Sequence, residues 1–238
     1  MTDIKHVSFD LWLTLIRSEP TFKRRRANFF KQHFDLKDRS AAEIDAVFRF
    51  QDHAFNRLSE ITGRSWQAEE MYGLVLHQLG VDLGPLSIND LTVIKKECNA
   101  LFYEYPPQFY GSETKNILAK IVDSQEFTLN ISSNTGFIEG NVLRPILEDL
   151  DILSHFQFAV FSDEIGYSKP SPLFFDAVFK QIQPLYEGKI QKNQVLHVGD
   201  NAQSDGFGGQ NFGFQTLQIH HKSDATMHNV WALLNKKK

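Results

Sequence analysis

The feature that most constrains this chain is a change of rhythm at Ser112. Beyond it, short apolar runs alternate with amphipathic stretches. The pattern predicts a helix over Glu113–Val122, a strand over Phe127–Ile131 and a helix over about Ile138–Leu150. A strand at Phe158–Phe161, a helix at Leu173–Ile182, and strands at Gln194–Val198 and Gln215–Ile219 follow before a terminal helix. Alternating strand and helix calls for a parallel sheet covered on both faces, because parallel neighbours need a crossover connection. Ile4–Phe9 supplies the first strand. Between Ser18 and Glu104 the pattern is helical throughout. Ser40-Ala41-Ala42-Glu43 is a capping box, followed by Ile44, Val47, Phe48, Phe55 and Leu58 mostly at helical spacing. Trp66–Leu79 is another amphipathic stretch ended by Gly80, and Ser87 caps a fourth helix over Ile88–Tyr103. Tyr105-Pro106-Pro107 then breaks the pattern, since neither proline has a backbone donor. The expected class is α/β: a doubly wound parallel sheet built from residues 1–17 and 106–238, with a helical cap inserted at 18–105.

Four segments fall just past strand-like runs: Phe9-Asp10-Leu11-Trp12-Leu13-Thr14-Leu15, Ser133-Asn134, Lys169-Pro170, and Gly199 to Asp205. In an open α/β sheet the carboxyl ends of the strands share one crevice, so these segments become neighbours there. Asp10 is the candidate nucleophile, since a carboxylate can attack phosphorus and be freed by water in a second step. A nearby cation and lysine would keep it ionised. Magnesium takes oxygen ligands, usually one or two carboxylates with waters and phosphate, and Asp10 with Asp200 fits that number. Gly199 is expected to turn the chain sharply toward Asp200. Lys169 would neutralise a transferring phosphoryl group, while Ser133 and the backbone amides after it, beginning with Asn134, would donate hydrogen bonds to its oxygens. Singly, each segment has a plain account as a cap, turn or exposed loop. Their joint order is what carries the argument.

That order resembles the haloacid dehalogenase superfamily, from Ile4 to about Ile219. The resemblance implies a Rossmann-like core with a cap after the first motif, an aspartyl intermediate and Mg2+. It also implies that the Trp12 backbone carbonyl is a metal ligand, that Asp205 ligates the metal or stands behind the ligands, and that Thr14 binds phosphate or shapes its loop. One departure matters. The family's phosphatases usually carry a second aspartate two residues after the first, to protonate the leaving oxygen, and here that residue is Trp12. Indole only donates hydrogen bonds and does not titrate near neutrality. A positioned proton donor is typically worth about 10²–10⁴-fold. The family's dehalogenases also lack this aspartate, but they dispense with metal and do not keep the Gly199 to Asp205 arrangement. The expected function is therefore that of a magnesium-dependent phosphatase, a hydrolase of small phosphorylated metabolites. The alternatives are a metal-independent 2-haloacid dehalogenase-like hydrolase and a catalytically silent phosphate-ligand-binding protein.

Bulk properties exclude other classes. A net charge of -4 argues against a general nucleic-acid binder. No apolar run reaches the roughly 18 residues of a membrane span. The start has no signal-peptide pattern, and a single cysteine, Cys98, fits a reducing compartment, so a cytoplasmic address is expected. The 21 phenylalanines fit an aromatic-rich core. Nothing in the sequence sets an oligomeric state. Lys23-Arg24-Arg25-Arg26 wraps around its helix, so at least one of these side chains should face the core or the cleft, where an arginine could grip a second anionic group. Gly206, Gly208, Gly209 and Gly213 read as close helix packing, and His6 and His197 as core histidines. His220 and His221 read as surface residues and Lys236-Lys237-Lys238 as a solvated tail.

Overall fold

The structure is a computed structural model that describes residues 3–220 and 226–236. The expectations for His221, Lys237 and Lys238 lie outside these residues. Five parallel strands form the sheet: β1 (His6–Phe9), β4 (Thr128–Ser133), β5 (Phe158–Phe161), β6 (Val195–Gly199) and β7 (Gln215–Gln218), in the order β5-β4-β1-β6-β7. β4 runs two residues further than the apolar pattern indicated, so Ser133 is the last residue of a buried strand rather than the first of a loop. Two further strands, β2 (Ile16–Arg17) and β3 (Gln108–Phe109), pair antiparallel with each other. They bracket the segment that holds four consecutive helices: α1 (Pro20–His33), α2 (Ala41–Thr62), α3 (Ala68–Gln78) and α4 (Ile88–Glu104).

Local chemistry sets these boundaries. Glu19 accepts hydrogen bonds from the amides of Thr21 and Phe22, and Pro20 occupies the first helical position, where no donor is needed. Ser40 and Glu43 form the expected capping box, and Ser87 with Asp90 forms another. Gly63 ends α2 in the left-handed conformation at φ 69°. Phe30, Phe48, Tyr72 and Cys98 of the four helices are fully buried in a shared apolar cluster, which Phe137 joins from the loop after β4. Edge-on ring contacts hold this cluster, with Phe30 and Phe48 at 4.9 Å and Phe48 and Phe137 at 5.3 Å.

The remaining helices are α5 (Thr114–Asp123), α6 (Gly140–Asp149), α7 (Ser162–Ile165), α8 (Pro172–Ile182), α9 (Gly208–Phe212) and α10 (Met227–Asn235). Strand alternation makes the two faces of the sheet different. Val7, Phe9, Leu129, Ile131, Leu196 and Val198 point to one side and pack with buried residues of α5, α6 and α10. On the other side Val160 and Val195 pack with the phenylalanines of α8. Between them on that second face lie buried polar groups: His6, Ser8, Asn130, Ser132 and His197. They satisfy one another, as burial of polar groups requires. His6 bonds Thr128 and Asn130, and Ser8 bonds Ser132 and His197. Burial holds the His6 imidazole down at about 4, so it is neutral.

The helical segment also meets the sheet layer away from β2 and β3. Arg64 and Tyr167 form an antiparallel bridge, flanked by Ser65 N donating to Gly166 O (3.1 Å) and Ser168 N to Gly63 O (2.9 Å). Lys95 of α4 bridges Glu69 and Glu139 at 2.7 and 3.0 Å. Among the described residues no helix is long and apolar enough to cross a membrane.

The seat of α6 on β5 is tight. A Cβ on Gly140 would lie 2.5 Å from the Phe161 ring, and Phe161 is fully buried. Gly140→Ala should therefore destabilise by about 1–3 kcal/mol, a loss of roughly 2–10 °C in Tm. Thermal unfolding followed by circular dichroism measures it, and a shift below about 1 °C would show that the contact gives way freely.

Candidate active site

β1 and β6 are neighbours, yet the chain leaves them toward opposite edges of the sheet. This is the topological switch point where open α/β sheets form a crevice. Asp10 follows β1, and its amide donates to Val198 O at 2.8 Å, which ties the loop to β6. Asp200 follows β6. Lys169 reaches the same point from the loop before α8, with Nζ donating to Asp10 Oδ1 (2.7 Å), Asp205 Oδ1 (2.6 Å) and Ser132 O (2.8 Å). An ammonium has three protons, so all are used. Its loop is clamped by Asn134, whose Oδ1 accepts from Lys169 N at 2.8 Å and whose Nδ2 donates to Lys169 O at 3.0 Å. The Asn134 amide thus positions the lysine.

Gly199 does not serve as a turn. It sits in extended strand, and its missing side chain makes room instead: a Cβ there would lie 2.2 Å from Asp205 Cγ. Asp205 folds back into that space from a single π-helical turn, Ala202–Phe207, where wide turns often mark functional positions. Asn201 caps the turn by accepting from Gln203 N (2.8 Å) and Ser204 N (2.9 Å), and it reaches α2 through Nδ2 to Glu60 Oε1 at 3.2 Å. Both Asp205 oxygens are occupied. Oδ1 accepts from Lys169 and lies 3.0 Å from His197 Nε2, while Oδ2 accepts from Asn201 N at 3.0 Å. His197 is the buried strand histidine the sequence suggested, but it also supports this carboxylate. Period-two counting could have found it, since His197 and Gly199 share a strand face.

Of the residues singled out from sequence, Asp10, Trp12, Asn134, Lys169, Asp200 and Asp205 line one cavity of about 460 Å³. Ser133 and Thr14 are fully buried and do not line it. Ser133 Oγ donates to Asn134 O at 3.2 Å. The Trp12 ring packs 6.1 Å from Phe102. Lys23 and Arg26 of α1 face the cavity, while Arg24 and Arg25 are exposed. Gly208 and Gly209 serve packing, as expected: a Cβ would come within 2.8 Å of Pro170 and Phe175 in the first case and 2.7 Å of Thr216 in the second, whereas Gly206 faces open space and Gly213 ends α9 in the left-handed conformation at φ 104°.

Ligand atoms of Asp10, Asp200 and Asp205 lie within 4.8 Å of one another. Burial raises the Asp10 carboxyl against the pull of Lys169. Burial, then Asp10 and Asp205, push Asp200 up to about 7. Asp205 goes the other way: burial opposes ionisation, but Lys169 and His197 hold it below the usual carboxylate range. Burial would depress the Lys169 ammonium, but Asp10 and Asp205 more than offset this and raise it. Three carboxylates against one ammonium leave an excess of negative charge. Oxygen donors in that number suit a hard divalent cation such as magnesium.

The profile of the family described as haloacid dehalogenase-like hydrolase matches residues 9–219. Pyrimidine 5'-nucleotidase YjjG of Escherichia coli strain K12 is 37% identical over 78 residues, which is 32% of this chain and 32% of that protein. The aligned part thus spans about a third of that relative. Among solved structures, the HAD-hydrolase YfnB of Bacillus subtilis, bound to magnesium, superposes with a TM-score of 0.73 at 17% identity, covering 98% of this chain and 100% of that one. A 2-haloacid dehalogenase from Pseudomonas syringae pv. Tomato DC3000 superposes with a TM-score of 0.63 at 18% identity, covering 99% and 100%. At these identities the structural likenesses show the fold.

Crowding of carboxylates has a pH signature. The folded-state value of Asp200, about 7, lies above its ordinary 3.8. The native state then binds the extra proton, and stability falls as pH rises from about 4 to about 7. In chelator, wild type should lose stability relative to Asp200→Asn between pH 5 and pH 8. Urea unfolding at the two pH values measures this, and parallel pH profiles for the two proteins would contradict the clustering.

Proposed function

The chain belongs to the haloacid dehalogenase-like hydrolases, and within that family we propose that it is a magnesium-dependent phosphatase acting on a small phosphorylated metabolite. The observation that carries this reading is the clustering of Asp10, Asp200 and Asp205 within 4.8 Å of one another, with the Lys169 ammonium paired to Asp10 and Asp205. A carboxylate that attacks an anionic ester needs cationic screening, and two further carboxylates make the need greater. Asp10, Asp200 and the Trp12 carbonyl would hold magnesium, which when bound supplies charge neutralisation for the phosphoryl group. Asp205, with both oxygens engaged, holds Lys169 and the Asn201 loop in place.

Asp10 then forms a bond to phosphorus as the ester oxygen leaves with its electron pair. Water attacks the aspartyl phosphate in turn, releasing phosphate and restoring the carboxylate. Lys169 orients Asp10, favours its ionised form against the effect of burial, and neutralises charge on the phosphoryl oxygens. Residues 18–105 act in this reading as a cap that closes the cavity over small substrates and excludes water. Metal-free dehalogenation by Asp10 is the second reading, which the lack of an aspartate at position 12 favours. The additional carboxylates weigh against it.

Phosphate release from a panel of phosphomonoesters, with magnesium and with chelator, tests the proposal. Asp10→Asn should abolish turnover while leaving the fold intact, because the side chains are nearly isosteric. Activity indifferent to chelation, with halide released from a 2-haloacid, would establish dehalogenation instead.

Trp12 leads to a sharper expectation. With no acid at that position, an aryl phosphate with an acidic phenol should react about 10²–10⁴-fold faster than an alkyl phosphate. Trp12→Asp should accelerate the alkyl ester more than the aryl one, with unfolding measured alongside. Equal wild-type rates on the two esters would mean that another group delivers the proton.

A further inference from the structure

The phosphatase reading concerns the floor of the cavity; its roof has a different character. Arg17, Lys23, Arg26 and Arg49 line it, with Asp52 the acidic residue among them. Arg49 is paired with Asp45 at 2.6 Å. Arg26 stands apart. It is only 7% exposed, and its guanidinium carbon lies 3.8 Å from the centroid of the Phe48 ring, 5.2 Å from that of Phe22 and 5.3 Å from that of Phe137. Its Nε is sealed from solvent without a hydrogen-bond partner. Among the described residues no carboxylate lies within the 4.0 Å of an ion pair with it.

A guanidinium stays charged at any working pH. Burying it without a counterion is costly, and aromatic faces compensate only in part. Asp52 also lines the roof, but its side chain is exposed to solvent and lies beyond ion-pair distance of Arg26. Solvent therefore screens the Asp52 carboxylate from the guanidinium. The unmet demand faces a cavity whose floor would take a phosphoryl group. An anion is what completes the roof.

Resting on the phosphatase reading, we propose that Arg26 receives a carboxylate of the substrate, so that the preferred substrates are small phosphorylated carboxylic acids. The planar fork of one guanidinium matches the two oxygens of one carboxylate. A cavity of about 460 Å³ suits a small metabolite bearing both groups. Lys23 and Arg17, which line the same roof, add long-range attraction for a doubly anionic molecule.

Two non-hydrolysable probes test this by calorimetry on the full chain with magnesium: propylphosphonate, and 3-phosphonopropionate, which adds a carboxylate at similar length. Wild type should bind 3-phosphonopropionate roughly 10- to 100-fold more tightly, the range of a charge-assisted contact. Arg26→Met should bring the ratio of the two Kd values to about one, and Arg26→Lys should restore part of it. A role confined to packing would weaken both probes alike and leave the ratio standing. If Arg26→Met does not fold, the wild-type ratio and the Arg26→Lys variant decide. Equal affinities in wild type overturn the inference and leave the phosphatase reading intact. A preference that survives in Arg26→Met assigns the carboxylate to another cation and overturns it too. Failure of both probes to bind, together with no phosphate release, removes the phosphate site and both readings with it.

Discussion

The Lys169 ammonium is the interaction on which the site depends. It is fully buried among Asp10, Asp205 and the Ser132 carbonyl, each within 2.8 Å. A buried ion pair contributes little net stability, because desolvation cancels most of the attraction. What it contributes here is geometry. Removing the ammonium would leave the three carboxylates facing one another, two of them fully enclosed. Four separate loops converge because each supplies a charge or a clamp that the others need. Asn134 holds the lysine's main chain, Asn201 holds Asp205, and His197 joins Asp205 to the polar face of the sheet.

That polar face gives the fold its asymmetry. Apolar residues alone would pack both sides of the sheet equally well. Instead one side carries a chain of side-chain hydrogen bonds from Ser132 through Ser8 and His197 to Asp205. Such networks leave little freedom once every member is satisfied, so they fix the strand register near the catalytic end.

Much of this was legible in the sequence because it rests on short-range rules. The capping box at Ser40, the cap at Ser87, the proline break after Tyr105 and the alternation beyond Ser112 all act within a few residues. The order of Asp10, Lys169 and Asp200 was readable for the same reason: each follows a strand or sits in a punctuated loop. What could not be read depends on contacts between distant segments. Gly199 looked like a turn residue, and only the backfolded Asp205 explains its missing side chain. The clamp that the Asn134 side chain places on the Lys169 main chain had no signal in the sequence either. The basic run in α1 indicated that one cation must point inward; packing against Phe22, Phe48 and Phe137 singled out Arg26.

The bridge between Gly63–Ser65 and Gly166–Ser168 has a mechanical consequence. Ser168, whose amide bonds Gly63, is the residue immediately before Lys169. The joint is made of main-chain atoms, so side-chain substitutions leave its donors and acceptors in place. Any swing of the helices away from the sheet must pull on this joint or break it, and Ser168 would pass that pull to the peptide of Lys169. A movement of the helical segment and the position of the central charge would thus be coupled through the backbone.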